Sequence, residues 1–320
     1  MTCPLACDVL PQSIAITAKS PGDTMHFKDS FHPYAMLTIL FWSLAYVLTR
    51  LSLQHFSVFS LGFLRYFIAS CVLAVLALVL RMGLPRLRDL PLFLASAATG
   101  FFLYMMAFNQ GQALVTSATA SVVIATVPVL TALMAGFAYK EKLKPFQWAA
   151  IGLEFTGVVV LAAMDSALSL NAGLLWLLLA AVLLSLYNVL QRRLTRSYPA
   201  LQVSTYSIFL GTLMLALFAP QAAREVASAP PVQFVYLGVL GVGSSAIAYV
   251  AWTKAFAKAK QTSQVSNYMF VTPFLASLLG FLLAGEVPDR ATLVGGAIIL
   301  AGLLLFNFGG ALKVAPRQER

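Results

Sequence analysis

Of 320 residues, 60% are apolar and only 10% are charged, too few charges to cover a soluble protein of this length. A net charge of +10 invites a nucleic-acid partner, but the lysines and arginines stand in short clusters between apolar runs, which excludes a basic binding face. Cys3, Cys7 and Cys71 form neither a disulfide framework nor a metal set; Cys3 and Cys7 share a tail with His26 and His32, yet nothing fixes ligand geometry there, and no metal or other cofactor is assigned.

Residues 1–32 carry Pro4, Pro11, Pro21 and Gly22 among scattered charges and hold no run of membrane length. They lack the charged start, apolar core and small-residue cleavage site of a removed signal peptide, so a cytoplasmic tail and an uncleaved first span are expected. Nothing before Met25 adds to the pattern, and Met1 and Met25 both stand open as the start.

From Pro33 onward come ten apolar runs, near 33–51, 57–80, 90–108, 117–138, 146–164, 172–190, 201–219, 231–253, 262–284 and 291–309. Each is long enough, as a helix rising 1.5 Å per residue, to cross about 30 Å of hydrocarbon. Barrel strands would be shorter and would alternate apolar with polar residues. A helix also satisfies its backbone within one segment, as lipid requires.

The fourth run carries Pro128 near its middle and Glu141 just past its end, and the ninth says the same thing again. Pro128 falls on Pro273 and Glu141 on Glu286, both by 145 residues (273 − 128 and 286 − 141). The same shift takes Tyr104 to Tyr249, Ser121 to Ser266, Leu130 to Leu275, Leu133 to Leu278 and Gly157 to Gly302. Matched apolar segments with a helix breaker in corresponding places point to a transporter's binding region.

Charge orients the bundle. Both tails and the loops after even-numbered runs hold seventeen lysines and arginines: Lys19, Lys28, Arg81, Arg86, Arg88, Lys140, Lys142, Lys144, Arg192, Arg193, Arg196, Lys254, Lys258, Lys260, Lys313, Arg317 and Arg320. Loops after odd-numbered runs hold three, Arg50, Arg224 and Arg290. Both termini are therefore expected in the cytoplasm of a multi-pass protein of the inner membrane. Five spans per half is odd, so the halves 33–164 and 172–309 enter from opposite sides, an inverted repeat followed by a short cytoplasmic tail at 310–320. The fold class expected is thus an all-α membrane protein of ten helices in two inverted five-helix repeats.

Ten spans in two halves, the paired endings MAGFAYKE and LGFLLAGE, and Arg65 within FLRY of the second span resemble the EamA-type branch of the drug/metabolite transporter superfamily over residues 33–310. The resemblance implies a carrier of small metabolites, often amino acids or their analogues, commonly working outward. It is almost silent on substrate. Lys258 and Lys260 depart from the first half, where Ala113 and Val115 stand.

The resemblance also implies that spans 1, 3 and 4 with 6, 8 and 9 surround the cavity, with 5 and 10 behind. On those spans stand Trp42, Tyr46, Tyr104, Ser121, Thr126, Tyr187, Asn188, Tyr249, Asn267 and Tyr268, with Asn109 and Trp252 nearer span ends. Aromatic rings with polar tips suit an amphipathic solute, although Trp and Tyr also mark membrane interfaces. Pro128 and Pro273 are expected to bend their helices as gating points or as static kinks.

Two charges lie within spans. Arg65 could hold a substrate carboxylate, or bond to carbonyls and fix its span. Glu154 is the sole acid deep in a span, either a proton-coupling site or a structural hydrogen-bonder. Gly152, Thr156, Ala297 and Ala301, with Gly295, Gly296 and Gly302, permit close helix approach within the monomer or across a homodimer. An enzyme would need a nucleophile and base, paired acids or metal ligands at depth, and none is present. A channel would show charge rings or a filter loop. A phosphorylated-metabolite exchanger would want several convergent cations, against one Arg65. The reading is a secondary transporter with a small-molecule substrate and lipid as partners, against a non-transporting scaffold or an anion exchanger.

Overall fold

The computed structural model describes residues 30–139, 143–164, 172–258 and 267–309. Expectations placed on both tails, on Cys3, Cys7, His26, Lys140, Glu141, Lys142, Lys260 and Ser266, and on the side chain of Asn267 fall outside the described residues.

Every regular element among the described residues is helical. In chain order these are α1 (His32–Ser52), α2 (Val58–Val79), α3 (Leu90–Ala97), a π-helical stretch (Ala98–Phe102), α4 (Leu103–Leu114), α5 (Ser117–Ile124), α6 (Val127–Tyr139) and α7 (Pro145–Met164). There follow α8 (Ala172–Leu194), α9 (Ala200–Leu215), α10 (Ala219–Ala227), α11 (Pro231–Gly238), a longer π-helical stretch (Val239–Ile247), α12 (Ala248–Lys258), a 3₁₀ turn (Asn267–Val271), α13 (Thr272–Ala284) and α14 (Arg290–Phe308). Seven helical stretches among the described residues are long and apolar enough to cross a membrane. Phe67, Val75 and Leu78 on α2, Phe137 on α6, and Phe281 and Leu282 on α13 point outward, apolar surface that suits lipid and not water.

Helix ends follow local chemistry. Ser57, Thr116 and Asp289 cap α2, α5 and α14 by accepting from the backbone N–H of Ser60, Thr119 and Thr292 at 3.2, 3.2 and 2.7 Å. Prolines open α1, α3, α10, α11 and α13, in first turns where their missing N–H has no helical partner anyway.

That rule governs Pro128 and Pro273 too. The bends expected at these positions coincide with short interruptions of the helix, and each proline sits in the first turn of the helix that follows. Ala125 and Thr126 separate α5 from α6, and the 3₁₀ turn precedes α13. The restarts at Val127 and Thr272 are again 145 residues apart (272 − 127). At the break the Val123 carbonyl accepts both the Thr126 backbone N–H at 3.1 Å and the Thr126 hydroxyl at 2.7 Å.

Packing joins the two parts of the chain throughout. The longest shared seam runs between α7 and α14; α8 lies on α4 and on α6, α1 on α12 and on α13, and α9 on α2 and on α3. Glu154 occupies the α7–α14 seam, 2% exposed. A Cβ placed at Gly302 would stand 2.7 Å from Glu154 Cγ and 2.9 Å from the Ala150 carbonyl, so only glycine allows the helices this close.

Candidate functional site

Five tyrosines, two tryptophans and two phenylalanines from both parts of the chain meet in the middle of the bundle. Phe101, in the first π-helical stretch, is the hub. Its ring centre lies 5.2 Å from Tyr66, 5.1 Å from Tyr187 and 5.6 Å from Tyr249, the first two edge to face, which suits the ring quadrupoles. Trp42 packs 5.5 Å from Tyr249 and 5.0 Å from Trp252 and donates its indole N–H to the Ser244 carbonyl at 3.2 Å. Tyr46 and Tyr104 both contact Phe108, each at 5.5 Å.

The π-helical stretches place these rings. A π-turn opens the helix by one residue and recurs at functional sites in helices. Shifted by 145, Ala98–Phe102 falls on 243–247, the last part of Val239–Ile247 (98 + 145 and 102 + 145). Each stretch leads directly to one of the paired tyrosines, Tyr104 or Tyr249. Gly100 makes the closest approach. Its missing Cβ would stand 2.2 Å from Tyr187 Cδ2, so the Tyr187 ring lies flush on the backbone.

Arg65 enters this cluster from α2, 5% exposed. Its Nε–H donates to Ser245 Oγ at 2.7 Å, and its guanidinium carbon lies 5.9 Å from the Tyr66 ring centre. Tyr46, Tyr66, Tyr104 and Tyr249 all lie within electrostatic range of the guanidinium. The ion pairs among the described residues are Arg50–Glu286 and Arg88–Asp89, so no described acid pairs with Arg65. The Tyr66 hydroxyl is buried facing the Tyr249 side chain, without a well-formed hydrogen bond.

A polar thread leaves the cluster along one side. Gln191 donates to the Tyr187 hydroxyl and, at 3.2 Å, to Ser204 Oγ, and Ser204 and Thr253 hydroxyls lie 3.4 Å apart. At the C-terminal end of α1 the bundle is tied differently. Arg50 Nε contacts Glu286 Oε1 at 2.8 Å, and Arg50 Nη1 donates to the Gln112 carbonyl at 2.8 Å. Glu286 Oε2 accepts the Ser117 backbone N–H at 2.9 Å, at the positive end of α5. At the N-terminal end of α1, His32 is hydrogen-bonded to the Tyr268 hydroxyl, and Lys258 lies 5.6 Å from the Tyr34 ring centre.

Of the residues singled out from the sequence, the structure brings Trp42, Tyr46, Arg65, Tyr104, Tyr187 and Tyr249 together, with Trp252 at the edge. The others stand elsewhere. Ser121 donates to the Ala118 carbonyl at 2.7 Å and Thr126 to Val123, so both hydroxyls serve their own backbone. Asn188 donates to Thr131 at 3.2 Å, Asn109 to the Val58 carbonyl at 2.9 Å, and Tyr268 belongs to the group around His32. Tyr66, Phe101, Ser245 and Gln191 escaped sequence reasoning. Tyr66 adjoins Arg65 in FLRY, the one signal that could have found it.

Glu154 is not among the rings. Its carboxyl oxygens are buried without a hydrogen-bond partner, packed in the α7–α14 seam. Glu154→Gln is therefore expected to transport within about twofold of wild type, because an amide of equal shape keeps the packing. Reconstituted vesicles with an imposed pH gradient provide the check. A variant that moves its solute but no longer responds to the gradient would instead make Glu154 the coupling group.

The EamA-like transporter family model matches residues 31–163 and again 171–308. A probable terminal-alkyne amino-acid exporter of Streptantibioticus cattleyicolor is 32% identical over 275 residues, 85% of this chain and 91% of the relative. An S-adenosylmethionine uptake transporter of Rickettsia prowazekii is 24% identical over 263 residues, 82% of this chain and 86% of the relative. A solved crystal structure, 22% identical, superposes with a TM-score of 0.61 over 89% of this chain and 99% of its own, a likeness of fold. By the twofold match of the family model and the similarity to transporters of small metabolites, this chain is a multi-pass membrane protein that belongs to the EamA-like transporter family.

Proposed function

We propose that the protein is a secondary transporter that carries a small amphipathic metabolite outward across the cytoplasmic membrane by alternating access. The observation that carries this reading is the aromatic cluster around Arg65, built from both parts of the chain and reached by both π-helical stretches. Irregular backbone is tolerated at membrane depth where it is enclosed by protein or lines a solute path.

Ten spans in two inverted halves, 33–164 and 172–309, with both termini cytoplasmic, form the frame. The contact pattern supports it: α8 on α4 is matched by α1 on α12, and α8 on α6 by α1 on α13, the exchanges that a two-fold axis makes. The Pro128 and Pro273 restarts are read as the flex points of the fourth and ninth spans. The two ends of α1 then act as opposed closures, Arg50–Glu286–Ser117 on the outer face and His32–Tyr268 with Lys258–Tyr34 on the inner. A protein named as an exporter and another named as an uptake carrier share this architecture, so direction rests on the more similar one, the amino-acid exporter.

The test is solute entry into everted membrane vesicles energised by respiration, with a panel of labelled amino acids and amines. Accumulation above that of vesicles lacking the protein is expected for at least one solute. A correctly folded protein that moves no member of the panel in either direction would overturn the reading.

A further inference from the structure

We propose that Arg65, Ser245 and the Tyr66 hydroxyl form an anion subsite that receives the carboxylate of the transported solute. This rests on the transporter reading above and narrows it, because an amine without a carboxylate would leave the subsite unmatched. A guanidinium offers five N–H donors. Among the described residues the Arg65 side chain makes one hydrogen bond, from Nε to Ser245. No described acid lies within ion-pair distance, and Glu154, the acid at depth, is held in the α7–α14 seam.

A buried cation with hydrogen-bond capacity unspent is costly to keep and needs a matching anion. What surrounds it fits a solute better than a structural role. Tyr66 carries a buried hydroxyl that faces the Tyr249 side chain without a well-formed hydrogen bond, and its ring centre lies 5.9 Å from the guanidinium carbon. Ser245 belongs to the π-helical stretch of the other part of the chain, so an anion held here touches both moving parts at once. A carboxylate meets the terminal edge of a guanidinium through two parallel hydrogen bonds, and a tyrosine hydroxyl can add a third. The Phe101, Tyr187 and Trp42 rings beside it would then take the rest of the molecule.

The experiment uses the full-length protein, purified and reconstituted, with the twenty standard amino acids, each beside its amide and its decarboxylated amine. Competition against counterflow of the labelled solute found in the vesicle panel, and thermal stabilisation, are both read. Wild type is expected to favour a free amino acid over its amide and amine. In Arg65→Gln the affinity for that amino acid should fall about 10- to 100-fold, the range for a lost charge-assisted pair, with the amide little changed. Arg65→Lys should recover part of the preference. Tyr66→Phe removes one hydroxyl only and should weaken the amino acid selectively by about three- to tenfold, the worth of one hydrogen bond, even where Arg65→Gln does not fold. Equal loss of amino acid, amide and amine in Arg65→Gln would make Arg65 a structural residue. Counterflow of amines but not amino acids sinks the subsite and leaves the transporter standing, whereas no movement of any solute overturns both.

Discussion

Gly100→Ala is expected to reduce transport at least about tenfold while the protein still inserts, although the change adds one methyl group. The new Cβ would stand 2.2 Å from Tyr187 Cδ2 and 2.6 Å from Cγ, far inside contact distance. The ring has nowhere to retreat. It is 2% exposed, meets Phe101 edge to face at 5.1 Å, and its hydroxyl is held by Gln191. Overpacking of this kind costs about 1–3 kcal/mol, and here the strain falls on the seam between α8 and the first π-helical stretch. Counterflow and thermal stability in detergent provide the measurement. Tyr187→Leu added to Gly100→Ala should restore stability without restoring transport, since it removes the clash and a ring of the site together. Gly100→Ala with wild-type counterflow would mean that the ring cluster is not the solute's path.

Glu286→Ala should shift the protein toward opening at the end of the bundle where α1 finishes. Glu286 joins Arg50 at 2.8 Å and the Ser117 N–H at 2.9 Å, so its removal leaves a cation and a helix N-terminus without their shared anion. Charge-assisted hydrogen bonds of this type contribute about 1.5–3 kcal/mol. A loss near 2 kcal/mol changes the ratio of closed to open molecules by about 30-fold. Thr49, buried one residue before Arg50, makes the reporter: Thr49→Cys in a background without Cys3, Cys7 and Cys71, labelled with a membrane-impermeant maleimide. Faster labelling in Glu286→Ala is the expected result. Unchanged labelling with a lower melting temperature would reduce the contact to a structural tie.

How far the sequence revealed this molecule depends on the scale of the feature. Spans could be read because membrane thickness imposes their length, and the repeat because Pro128, Tyr104 and Gly157 keep one register with their counterparts. Arg65 and the aromatic candidates with a polar tip could be read as types suited to a solute, yet Ser121 and Thr126 belong to the same class and turn back on their own backbone. Nothing local separates those outcomes, because hydroxyls at a helix break satisfy carbonyls first. Phe101 was passed over because a phenylalanine on an apolar span looks like any other. It became the hub through a π-turn, which arises from packing between spans and has no residue pattern of its own. Arg50 and Glu286, 236 residues apart (286 − 50), each read as the mark of a span end. Their pairing depends on how the two halves dock.

The α7–α14 seam has a mechanical meaning. With Gly302 against Glu154 and the Ala150 carbonyl, the two helix backbones lie too close to slide or part without a large loss of contact. For a body that turns about such a line, displacement is nearly zero on the line and grows in proportion to distance from it. In the proposed alternating access the seam would serve as the fulcrum, with the rings around Arg65 and the contacts at the two ends of α1 as the arms of the lever. On that reading the Glu154 carboxyl group would be carried almost nowhere as the arms swing, whereas the guanidinium of Arg65 would travel farther.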